Sequence, residues 1–277
     1  MRLRAAAAVL GLAFTVTMAP VRADVAPLAL AVSGPSEQGG WLRGQAPAGT
    51  SALMLDDKPV PLAPDGGFFV AFDRDAPPAA KLVAVLADGR RIETALAIAP
   101  RAWRIERIDT PKRPGGLPDA EFAQRRAGEV ARIAAARARD SMAQGWRQDF
   151  LRPAPGRLSG LFGAQRIYRG EPGAYHSGMD IAGGAGTPFV APADGTVVLA
   201  ADAPFTLEGH LLILDHGMGL NSAFLHASSL AVKEGDTVRQ GQVLGRIGMS
   251  GRATGPHLHW SVTWQGRRLD PLLFLPK

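Results

Sequence analysis

From residue 24 to about residue 100 the chain alternates short apolar segments with turn formers. The apolar segments fall at 28–32, 41–45, 52–55, 68–72, 82–86 and 92–98, and Asp57-Lys58-Pro59, Pro64-Asp65-Gly66-Gly67 and Asp88-Gly89 lie between them. Gly tolerates positive φ, Pro fixes φ, and Asp bonds to its own backbone, so these residues punctuate strands. Strands at roughly ten-residue spacing predict a small β-sandwich. Residues 100–118 are rich in Arg, Pro and Gly and read as a linker. The pattern then changes period. Asp119 is placed to cap a helix that runs to about Gln144, with Gly145 as its stop. Phe122, Val130 and Ile133 give that helix a narrow apolar stripe, and Arg125, Arg126, Arg132, Arg137 and Arg139 load the rest with positive charge. Two readings follow: a connecting helix laid on one domain with solvated arginines, or an arm that covers or lines a groove downstream, as an autoinhibitory lid or as a guide for an acidic substrate.

Beyond residue 157 the pattern returns to strands, expected at 158–162, 187–190, 195–200, 211–214, 222–226, 237–248, 258–264 and 268–269, with Gly-rich turns between them and no long helix. Asp215-His216-Gly217-Met218-Gly219 reads as a hairpin tip, which accounts for His216 by turn chemistry. The expected fold is mostly β. It comprises an N-terminal β-sandwich over 24–100, a linker and basic helix over 101–150, and an antiparallel, groove-type β domain over 151–277.

Composition narrows the function classes. A chain of 277 residues, 46% hydrophobic and 20% charged, is long enough for two domains with real cores. Met1-Arg2-Leu3-Arg4, the apolar run 5–18 and the small-residue site Val21-Arg22-Ala23 predict a secretory signal peptide over 1–23 and an exported, periplasmic or cell-wall protein. No later stretch reaches the ~20 apolar residues of a membrane span. There is no cysteine, so an oxidising compartment is permitted but not used. Without Arg2, Arg4 and Arg22 the balance is 28 Lys and Arg against 25 Asp and Glu, a net of +3. That mild excess suits an anionic envelope polymer better than nucleic acid, which calls for a denser basic patch with aromatic partners.

The candidate chemistry lies in the last hundred residues, since all six histidines are C-terminal to residue 175. In an extended strand the side chains of His257 and His259 leave the same face. Two other signals accompany them: Tyr175-His176-Ser177-Gly178-Met179-Asp180 and Phe224-Leu225-His226. A catalytic zinc site takes three nitrogen or oxygen ligands and keeps one position open. His176, Asp180 and His259 supply that number, leaving His226 and His257 to orient water and stabilise charge. The glycines around His176 place it in a loop entering a strand at Asp180. His210 has no assigned task. Residues 24–100 carry no histidine and read as a spacer or docking module, with a glycan platform at Trp41 as the sharper alternative. No His-Glu-x-x-His is present, which excludes a helical zincin.

The His-x3-Asp, the Phe-Leu-His and Gly255-Pro256-His257-Leu258-His259 together resemble the M23 (lysostaphin/LytM-type) zinc metallopeptidases. The similarity runs from about Arg157 to Pro271. It takes in Ala191-Pro192-Ala193-Asp194-Gly195, Leu214-Asp215-His216-Gly217 and Val232-Lys233-Glu234-Gly235-Asp236. The resemblance implies one Zn2+ per chain on His176, Asp180 and His259, with His226 and His257 catalytic. It also implies hydrolysis of peptidoglycan stem peptides or cross-links. Read as a docking module, the sandwich of residues 24–100 would take an envelope protein as its partner. Trp260 stands where the family commonly has Phe. A competing class is a non-catalytic wall-binding protein or amidase activator of the same fold. Such relatives have lost zinc ligands, whereas this chain keeps all five functional positions. Metal-dependent esterase or amidase chemistry on the same scaffold is a third option. Neutral imidazole binds zinc, so affinity is expected to fall below about pH 6.5.

Overall fold

A computed structural model describes residues 30–110, 120–201 and 203–276. The expected signal peptide, the helix cap at Asp119 and most of the second half of the expected linker lie outside the described residues. Residues 31–97 form two antiparallel sheets. One pairs β1 (Ala31–Ser33), β2 (Trp41–Gln45) and β5 (Gly67–Ala71). The other takes the order β4-β3-β6-β7, with β3 at Thr50–Leu55, β4 at Lys58–Val60, β6 at Ala79–Leu86 and β7 at Arg91–Ala97. Leu42, Phe68 and Val70 of the first sheet and Leu53, Leu55, Leu82 and Ala84 of the second belong to one buried cluster.

Two local expectations change. The turn expected at Asp57-Lys58-Pro59 sits one residue earlier. Asp56 and Asp57 both adopt positive φ (47° and 65°), as a tight two-residue hairpin turn requires. Lys58 and Pro59 therefore already belong to β4, an edge strand where the missing N–H of proline is tolerated. The expected linker also holds a strand: β8 (Ile105–Ile108) pairs in parallel with β10 (Gln165–Tyr168). Its Ile-Glu-Arg-Ile sequence lacks the period-two alternation that marks a strand, and the charges are used across the pair, where Arg166 bonds Glu106 at 2.9 Å.

Helix α1 spans Ala120–Arg137 and so ends seven residues before the expected last helical residue, Gln144. Past it the chain is drawn onto the hairpin tip. The backbone N–H and hydroxyl of Ser141 both donate to Asp215 Oδ2, at 2.7 and 2.6 Å, and Trp146 N–H donates to the His216 carbonyl. The helix lies with Ala136 and Ile133 against Val198, Leu199, Leu211 and Ile213.

After the small β10-β11 ribbon (β11, Glu171–Pro172), nine further strands join β9 (Arg157–Gly160) in a ten-stranded sheet. They are β12 (Met179–Ala182), β13 (Pro188–Val190), β14 (Gly195–Ala200), β15 (His210–Asp215), β16 (Leu220–Leu230), β17 (Thr237–Val238), β18 (Val243–Ile247), β19 (Leu258–Trp264) and β20 (Arg267–Leu269). The main path is β17-β14-β15-β16-β19-β12-β9, with β13, β18 and β20 attached to it. The single strand expected over 237–248 is two, because the chain turns at Gln240-Gly241. There Gly241 takes φ +81°, a conformation open to glycine at little cost. Among the described residues no helix is long and apolar enough to cross a membrane.

The apolar run Phe68-Phe69-Val70-Ala71 is buried on both faces. One reason is an aromatic seam with the large sheet. Phe69 lies 5.8 Å from Trp41, 6.1 Å from Trp264 and 6.4 Å from Phe274, and Trp41 Nε1–H donates to the Leu273 carbonyl at 3.1 Å. Each such ring contact adds roughly 0.5–1.5 kcal/mol beyond the area it buries.

Candidate metal centre

Asp180 and His259 face each other across the antiparallel pair β12–β19. Leu258 and Trp260 of β19 point into the core, while His257 and His259 are half-buried on the opposite face, as a period of two dictates. His257 lies just ahead of β19, in a bridge to Gly248. His176 comes from the loop between β11 and β12, and that loop is pinned by its own backbone. Its N–H donates to the Ala164 carbonyl, and its carbonyl accepts from Gly163 N–H.

Three ligand atoms meet. His176 Nε2 is 3.1 Å from both Asp180 Oδ1 and His259 Nδ1, and His259 Nδ1 is 2.8 Å from Asp180 Oδ1. His176 Nδ1–H donates to the Leu161 carbonyl at 3.0 Å, which leaves Nε2 as an acceptor. When both rings are neutral and His259 also presents a bare Nδ1, a carboxylate oxygen and two imidazole nitrogens are all acceptors, and a cation satisfies them together; without it, a proton on either ring is shared with Asp180. A tetrahedral zinc with bonds of about 2.0–2.1 Å sets its ligand atoms roughly 3.3 Å apart, close to this spacing. Two glycines keep the space open. A β-carbon at Gly160 would come within 2.3 Å of Asp180 Oδ2, and one at Gly178 within 2.6 Å of His259 Nε2. The residues present therefore fit a small divalent ion.

The electrostatics agree with that fit. Burial works to raise the Asp180 carboxyl, but hydrogen bonds with His176 and His259 outweigh it and hold the group far below the usual carboxylate range. Burial pushes His259 down, against the opposing pull of Asp180. At His176 burial also pulls down, yet the hydrogen bond and charge of Asp180 leave it raised. Such a cluster holds protons only in competition with a metal.

His226 and His257 stand beside this trio. Their ring centroids are 4.8 Å apart, and that of His226 is 6.4 Å from His259. Each commits one nitrogen to a carbonyl: His226 Nδ1–H donates to Ser250 and His257 Nδ1–H to Gly255, both at 2.8 Å. His226 is buried, which lowers its pKa. Its backbone is unusual, with φ +65° in the middle of β16. Opposite it, β15 advances two residues (His210 to Leu212) while β16 advances three (Ala227 back to Phe224). Such a bulge re-aims a side chain, and here His226 N–H is held at 2.8 Å by the Glu208 carbonyl. Sequence reading missed the bulge, Glu208 and Gly160, because none of them carries a local signature.

The other two histidines are accounted for elsewhere. His216 is fully buried. Its Nδ1–H donates to the Asp194 carbonyl and its Nε2 accepts from Ser222 Oγ, both at 2.8 Å, and burial lowers its pKa to about 4. It is an anchor inside the hairpin rather than a solvated turn residue. His210, half-buried, bonds the Ala201 carbonyl.

A groove of about 330 Å³ opens beside His259, floored by β16 and β19 and walled by α1. The basic helix thus lines the groove. It is held there by Arg126, which grips Glu208 with two bonds of 2.7 and 2.8 Å and Glu129 at 3.1 Å. Glu129 in turn accepts from the N–H and hydroxyl of Thr206.

Comparison with known proteins places this geometry. Residues 174–271 match peptidase family M23. The solved structure of a Pseudomonas aeruginosa protein assigned to peptidase M23 is 30% identical, with a TM-score of 0.66, over 87% of this chain and 95% of that one. Peptidoglycan DD-endopeptidase ShyA of Vibrio cholerae is 37% identical over 99 residues, 36% of this chain and 23% of that protein. Murein hydrolase activator NlpD of Escherichia coli is 34% identical over 125 residues, 45% of this chain and 31% of that protein. The matched region thus spans less than a third of either curated relative.

Proposed function

The chain belongs to peptidase family M23, and on that premise we propose that it is a zinc metalloendopeptidase that hydrolyses peptide bonds in peptidoglycan stem peptides or cross-links. The observation that carries this reading is the meeting of His176, Asp180, His259, His226 and His257 in one cluster, with His259 in the wall of the groove. His176 Nε2, Asp180 Oδ1 and His259 Nδ1 are the atoms that would hold the ion. Bound zinc supplies Lewis acidity to a carbonyl oxygen and to water alike.

The chain's own residues do the rest. The Leu161 carbonyl fixes the tautomer of His176, as a second-layer hydrogen bond does at most histidine ligands. With Nδ1–H committed to Ser250 and Gly255, the Nε2 atoms of His226 and His257 are the ones that exchange a proton with substrate or water. Protonated, either donates a hydrogen bond to the oxyanion of the tetrahedral species, and preorganised donors of that kind contribute strongly. Export to the periplasm or cell wall, where this polymer lies, belongs to the same proposal. So does docking of an envelope protein on the sheets of residues 31–97. The name of the Vibrio relative favours a cross-link as the bond cut.

The test is to incubate the purified chain with zinc and peptidoglycan and to identify released fragments by mass spectrometry. Fragments with new peptide termini, abolished by EDTA, are expected. Undiminished cleavage in excess EDTA would overturn the proposal. A second reading, a non-catalytic activator of another wall hydrolase, is favoured by the likeness to NlpD. It predicts no tightly bound zinc and no cleavage by the chain alone, with stimulation of an added amidase.

A further inference from the structure

Three arginines line the groove beside His259, and they are not equivalent. Arg126 is neutralised by Glu208 and Glu129. Arg137, from the last turn of α1, and Arg268, from β20, line the same space, and among the described residues neither pairs with a carboxylate. Glu208 is the one acid in the lining and is already held at both oxygens by Arg126. Arg137 Nε is buried with no hydrogen-bond partner. The Arg268 guanidinium lies over the Tyr175 ring, 5.6 Å from its centroid, and its backbone N–H is fixed by Asp73.

A buried guanidinium nitrogen without a partner is costly, and two arginines facing one cavity repel unless an anion joins them. The planar fork of arginine matches a carboxylate with two parallel bonds, which a lysine does not reproduce. Ser177, Ser261 and Thr263 add neutral polar groups to the lining, so the groove presents net positive charge beside His259. We propose that Arg137 and Arg268 form a carboxylate subsite, so that the preferred substrate is a peptide carrying a free carboxyl group near the bond that is cut. This rests on the peptidase reading of the neighbouring site and adds to it a specificity determinant drawn from the helix as well as the sheet.

The test separates the subsite from the chemistry. A disaccharide peptide released from peptidoglycan and the same compound with its carboxyls converted to carboxamides are titrated calorimetrically into the full chain in EDTA, where no turnover occurs. Wild type is expected to bind the carboxylate form about 10- to 100-fold more tightly, a range typical of losing charge-assisted hydrogen bonds. Arg268→Gln and Arg137→Gln should each remove most of that preference and leave binding of the carboxamide unchanged. Arg137→Lys should restore part of it, and added salt should shrink it. Equal binding of the two forms by wild type overturns the subsite. So does an Arg268→Gln variant that weakens both forms alike. Because binding is read without metal, a chain that fails to cut peptidoglycan but keeps the preference would reject the peptidase reading and retain the subsite.

Discussion

The sheets of residues 31–97 and the sheet of residues 157–269 use the same antiparallel pairing but differ in what they bury. In the first, Arg74 is the buried charged or polar residue, and its Nε–H is spent on the carbonyl of Gly163 in the second region. In the second, Asp215, His216, Asn221, Ser222, His226, Ser261 and Thr263 are all buried. Backbone carbonyls do much of the work there: those of Asp194, Ser250, Gly255 and Leu161 each take one imidazole N–H. An interior of apolar side chains gives a support. An interior that satisfies rings through the main chain fixes which nitrogen of His176, His226 and His257 is left for other partners, and that is what chemistry needs.

The contrast is broken most severely at the trio. Asp180→Ala or His259→Ala should lower turnover on peptidoglycan by on the order of 10³-fold or more while leaving the near-ultraviolet circular dichroism of the aromatic core in place. Elemental analysis should find the zinc gone with the activity. Next comes the support. Phe69→Ala removes a ring that touches Trp41, Trp264 and Phe274, and urea denaturation should show a loss of about 3–5 kcal/mol.

The buried polar interior should also reveal itself through pH. His216 has a folded pKa of about 4, against 6.5 for the free side chain. Between those values the unfolded chain binds the proton that the folded one refuses, so stability falls as pH drops from about 6.5 to 4, by roughly 3 kcal/mol in all. His216→Asn should be less stable at pH 7 but should flatten that slope, as denaturation midpoints at a series of pH values would show. The smallest effect belongs to the surface of the first region. Lys81 and Glu93 form an exposed pair at 3.9 Å, and Lys81→Ala should shift stability by no more than about 0.5 kcal/mol.

Sequence reading reached some of this and not the rest, for physical reasons. The alternation of side chains is local, so 258–264 and 195–200 were legible as strands to the residue. The five candidate positions stood out as a group because histidine is scarce in this chain and because their motifs resemble those of a known family, and the fold brings them together. The end of α1 was not, since the helix-forming residues continue past Arg137 and the chain is diverted only by Asp215, 74 positions away from Ser141. The bulge at His226 escaped as well. Nothing in Phe-Leu-His announces a left-handed residue, whose conformation is imposed by the Glu208 carbonyl and by the count of residues on the facing strand. Gly160 went unnoticed because its role is to be absent, leaving volume for groups on other strands.

The aromatic seam carries a practical consequence. A fragment trimmed to residues 151–276 would uncover Trp264 and Phe274 and leave the Leu273 carbonyl without its indole donor. Freshly bared rings of that size favour self-association. Swapping this half onto another host would therefore call for polar replacements along the exposed joint, and the shorter protein would be judged by its solubility before its catalysis.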